Sequence, residues 1–156
     1  MGMEKTGMQK TGMKEVQDTL VEALKKWQKI EVASVGSTYK VMEQTDNPVI
    51  GLVMEIIRRD SVTHHKVQEF IVSTMEERAP SLSPDEMVDA WDAIENHIAI
   101  EKQMVEYVRE ALDAIKGKHM VIQEYLLNYL LEDEKKHDML LETLDKIKAG
   151  MYPYGS

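Results

Sequence analysis

The stretch Leu130-Leu131-Glu132-Asp133-Glu134-Lys135-Lys136-His137 decides how the chain is read. Glu134 and His137 stand three residues apart, so on a helix both side chains leave one face and can close on a single ion. Around them Leu126, Leu127, Leu130, Leu131, Leu140, Leu141, Leu144 and Ile147 recur with helical spacing. A carboxylate and an imidazole inside such an apolar stripe are costly unless paired or ligated. Glu-x-x-His alone is a short pattern of common helix residues, so its meaning depends on matching partners elsewhere in the chain.

Working outward, the spacing predicts four long helices. Val16, Leu20, Leu24, Trp27, Ile30 and Val41 mark the first, over about 13–43. Asp46-Asn47-Pro48 ends it and starts the second, with proline in the first turn. The second runs to about Glu77 through Ile50, Val53, Ile57, Val67 and Ile71, and 78–82 form a short loop. Ser83-Pro84-Asp85-Glu86 reads as a capped start for the third helix, which ends at Gly117. The fourth is expected over 118–149. Residues 1–13, which repeat Lys-Thr-Gly-Met, and residues 150–156 read as tails around one domain, 14–149. With no strand pattern, the expected class is an all-α four-helix bundle.

Composition sets limits on function. The chain has 156 residues, 43% of them hydrophobic and 30% charged, enough for one domain with a sizeable core. A net charge of -9 argues against nucleic acid as a partner, because phosphate binding needs a basic face. The absence of cysteine removes disulfides, thiolate metal sites and thiol chemistry. Nothing reads as a signal peptide or a membrane span, so the cytoplasm is the expected compartment.

A faint internal repeat supplies the partners. Asp60, Ser61 and His64 on the second helix align with Asp133, Glu134 and His137 on the fourth, each 73 positions later. Glu31 on the first helix aligns with Glu101 on the third, 70 positions later. Both glutamates interrupt apolar stripes, and all these positions lie near the middle of their helices. Trp27 and Trp91 read as core, and His65 and His119 as surface residues.

On these residues the chain resembles the rubrerythrin and ferritin-like di-iron carboxylate proteins, over about 14–148. Such proteins draw one glutamate from each of two helices and Glu-x-x-His from each of the other two. The resemblance implies Glu31 and Glu101 as terminal carboxylates, Glu134 as a bridging carboxylate, and His64 and His137 as imidazole ligands. Oxygen and nitrogen donors without thiolate suit iron or manganese, with zinc as another occupant.

Two departures stand out. Ser61 occupies the place of the second bridging glutamate, and a hydroxyl does not bridge two ions as a carboxylate does. His97, one turn before Glu101, and Asp60, one turn before His64, are candidates to replace it, and one or two ions per chain remain open. The second departure is the short connection near residue 80, where ferritin-like bundles use a long crossover. It leaves three topologies open: plain up-down-up-down, a crossover built from residues read as helical, or helix pairs exchanged between subunits.

The resemblance implies an iron or manganese oxidoreductase acting on peroxide or dioxygen, of the rubrerythrin-like peroxidase or ferroxidase kind. It further implies a homodimer and, without a rubredoxin-like module, a separate electron donor. Ser61 favours the alternative, a non-catalytic helical bundle with a degenerate or structural metal site that works through oligomerisation or partner binding.

Overall fold

Residues 4–77 and 84–149 are described in the computed structural model, and helix takes nearly all of them. The elements are α1 (Glu4–Met42), α2 (Pro48–Glu76), α3 (Pro84–Ile115) and α4 (Val121–Lys148), with no strand among the described residues. The all-α class and the four helices are those the periodicity calls for. The chain divides into two compact units, Met1–Pro80 and Ser81–Ser156, each a pair of helices packed side by side. No helix among the described residues is long and apolar enough to cross a membrane.

In the first unit, α1 and α2 run antiparallel. Lys25 meets Glu76, Glu31 meets His64 and Gln68, and Ser34 meets Ser61, so position rises along one helix as it falls along the other. The reversal is built at Asn47, whose Oδ1 accepts the amide hydrogens of Val49 and Ile50 at 3.0 and 3.3 Å. Those two donors have no partner inside the helix, and Pro48 at the first position has none to satisfy. Close by, Glu55 takes Arg58 at 2.6 Å and Arg59 at 2.7 Å, and Arg58 lies 5.6 Å from the centre of the Tyr39 ring on α1. The two guanidinium groups hold the Glu55 carboxyl down at about 2.

The interior of this hairpin is unusually polar. Leu24 and Val72 are buried there, but so are Glu31, Thr38, Ser61 and Gln68. Trp27, expected in the core, is 53% exposed. It lies outside the seam because the face of α1 that meets α2 runs through Leu24, Glu31 and Thr38, at spacings of seven residues. The second unit has a more ordinary core at one end. There Met87 and Trp91 of α3 close on Ile147 of α4, with Ile94 and Leu144 against them and Lys148 Nζ 4.1 Å over the Trp91 ring.

Two boundaries differ from the sequence reading. α1 begins at Glu4, so helix takes in most of the expected tail. Gly7 and Gly12 each cost about 1 kcal/mol relative to alanine, and the Met, Gln, Lys and Glu residues around them are good helix formers. α4 begins at Val121 rather than 118, because Gly117 and His119 both adopt the left-handed conformation, with φ of 72° and 56°. Gly117 is suited to that region, and histidine is among the residues that tolerate it. The expected Ser83 cap, the 78–82 loop and the 150–156 tail lie outside the described residues.

Candidate metal centre

In the second hairpin α3 contributes Glu101, and one turn of α4 contributes Glu134 and His137. His137 Nδ1 lies 3.4 Å from Glu101 Oε2 and 3.4 Å from Glu134 Oε2. Among the described residues these three form a group whose donor atoms all lie within 4.8 Å of one another. Glu101 is 4% exposed and His137 39%, so the carboxylates are sunk in the seam and the imidazole closes it from the solvent side.

Both inward oxygens, Glu101 Oε2 and Glu134 Oε2, are buried without a hydrogen-bond partner. They are near enough to His137 for an ion pair but not placed to accept its hydrogen. Two buried carboxylates facing each other repel, and removal from water penalises their charge. Burial, first, and then the neighbouring Glu101 push the Glu134 carboxyl above its ordinary value, against the pull of His137. A divalent cation would relieve both strains. Ligand atoms about 2.1 Å from one ion stand roughly 3.0 to 3.4 Å apart in octahedral or tetrahedral geometry. The two separations seen here fit that range, so the residues present suit a cation.

The surroundings orient the group. His97 Nε2, from one turn earlier on α3, lies 2.9 Å from Glu101 Oε1. His97 therefore takes the outer oxygen of Glu101 and leaves the inner one free, which is the place of a positioning residue rather than a member of the triad. Asp133 Oδ2 lies 3.7 Å from His137 Nε2, and Lys136 pairs with the other Asp133 oxygen. A carboxylate on the far side of an imidazole favours the ring orientation that turns Nδ1 inward.

The first hairpin repeats this arrangement in reduced form. Glu31 is 7% exposed, and its Oε1 lies 3.4 Å from His64 Nδ1. Ser61, aligned with Glu134, is buried and donates its hydroxyl to Ser34 Oγ at 2.9 Å. Gln68 Nε2 approaches Glu31 Oε1 at 3.4 Å. Asp60 is half-buried and, among the described residues, makes no ion pair with His64, unlike its counterpart Asp133.

The expected residues thus gather in two places: Glu101, Glu134 and His137 in one hairpin, Glu31 and His64 in the other. Gln68 is the member that sequence reading passed over. Its signal was present, since Ser61, His64 and Gln68 trace a polar line along one face of α2 between apolar residues. Comparison of the chain with family models, curated proteins and solved structures finds no match.

Proposed function

We propose that the chain binds a divalent transition metal through Glu101, Glu134 and His137, and acts as an iron or manganese oxidoreductase on peroxide or dioxygen. One observation carries this reading: two buried, partnerless carboxylate oxygens face one imidazole nitrogen across separations suited to a shared ion. Two carboxylates and one imidazole suit iron or manganese, and no thiolate is present to draw softer metals. Held by Glu101, Glu134 and His137, iron or manganese would supply the redox chemistry that these side chains lack. The residues' part is to fix the ion: Glu101 and Glu134 balance its charge, His137 completes the triad, and His97 and Asp133 hold two of the three ligands in place. Re-reduction requires a separate electron donor. The homodimer and the cytoplasmic setting belong to the same reading.

A non-catalytic, structural metal site is the competing reading. Ser61 favours it, because the residue aligned with Glu134 is, instead of a second carboxylate, a serine that donates its hydroxyl to Ser34.

Metal analysis after expression with supplemented iron and manganese tests the assignment, comparing the parent protein with Glu134→Ala. The parent should carry about one tightly held ion per chain and the variant close to none. Folded parent protein that takes up no added ion would sink it. Peroxide-dependent turnover then separates the oxidoreductase from the structural site, and light scattering on the same samples reads the dimer.

A further inference from the structure

The level of Glu31 in the first hairpin holds a second constellation that the function proposed above does not use. Gln68 is 3% exposed, and its carbonyl oxygen is buried with no partner. The other end of the same amide sits 3.4 Å from Glu31 Oε1, and His64 Nδ1 is also 3.4 Å from that oxygen. An amide's oxygen and nitrogen have nearly the same size, so a half-turn of the group brings the acceptor to the place the donor now holds. Glu31 Oε1 would then face an imidazole nitrogen and a carbonyl oxygen, each about 3.4 Å away.

We infer that Glu31, His64 and Gln68 form a second divalent-cation site, carrying one negative charge fewer than Glu101–Glu134–His137 and holding its ion more loosely. Ser61, one turn before His64, directs its hydroxyl hydrogen to Ser34 on α1 and brings no charge to the group. Gln68, one turn beyond His64 on the same face, fills the vacancy with a neutral oxygen of the kind that hard cations accept. A groove of about 330 Å³ reaches Glu31 past Val32, Val35, Ser61 and Val62, with the opposite charges of Lys66 and Glu69 also on its wall. Affinity for hard cations follows the number of charged ligands, so a site with a single carboxylate exchanges its ion readily.

Manganese(II) titration of the full chain in 0.15 M KCl, with free ion followed by electron paramagnetic resonance, tests the inference. The parent should show one tight and one loose site, the loose one weaker by about tenfold or more. Glu134→Ala should keep the loose site alone. Gln68→Ala should keep the tight site alone, and Gln68→Glu should tighten the loose site by about tenfold or more, a gain that misfolding does not mimic. A single site in the parent, or a loose site indifferent to both changes at Gln68, overturns the inference while leaving the Glu101–Glu134–His137 assignment standing. A loose site that responds to Gln68, without a tight one, overturns that assignment alone. No uptake at all overturns both.

Discussion

Glu134 is one carboxyl under two opposed demands. Burial and then the neighbouring Glu101 make it hold its proton to higher pH than a free carboxyl in metal-free protein, whereas an ion needs it charged. A carboxyl whose folded pKa lies above its unfolded value contributes less stability as pH rises, because the unfolded chain gives up the proton first. In metal-free protein the loss should begin near the ordinary carboxylate value of 4.5 and be complete above the raised folded value. Glu134→Gln, which mimics the protonated form, should therefore gain in melting temperature relative to the parent as pH rises from 5 to 8. A difference that stays flat or shrinks would contradict the burial argument. Glu55 does not confuse the comparison. Its carboxyl, held at about 2 by Arg58 and Arg59, contributes stability that is lost only as pH falls toward that value. Glu101, Glu134 and His137 were legible in sequence because ionisable residues at helical spacing inside an apolar stripe are costly without a shared purpose. Gln68 left only the faint trace of its line with Ser61 and His64, since a neutral amide on a helix is ordinary until pairing with α1 buries it. Ser61 stood out as a departure, but its partner Ser34 depends on the register between two helices, which neither helix encodes alone.

At the scale of the element, helix ends were legible where side chains define them and obscure where the backbone does. Asn47 and Pro48 announce the start of α2, and the Asn47 side chain closes two free amides as its position suggests. Asn47→Ala should lower stability by about 1 kcal/mol, read from the urea midpoint at unchanged slope. An unchanged midpoint would assign the helix start to Pro48 alone. The start of α4 carries no such mark. Met120 stands at its N-cap without a side-chain bond, and the left-handed turn at His119 sets the boundary. The long α1 shows the other limit of local reading. Its apolar spacing gave the helix but not the face that α2 covers, which passes through Glu31 and Thr38 and leaves Trp27 in solvent.

At the scale of the whole molecule, each unit packs chain neighbours: α1 lies on α2 and α3 on α4, across turns of five residues, 43–47 and 116–120. Chains that pair neighbouring segments close short loops at little entropic cost and fold within microseconds to milliseconds. The donors for the ion belong to a single hairpin, so they come together when α3 and α4 close and need no distant segment to arrive. An ion that joins an already closed hairpin has no transition state for folding to lower. Saturating manganese(II) should therefore leave the stopped-flow refolding rate within about twofold of the metal-free value while slowing unfolding by about tenfold or more. Faster refolding would mean that the open chain captures the ion first. In this protein the ion's contribution to stability is then a matter of lifetime, set by how long a closed hairpin stays shut.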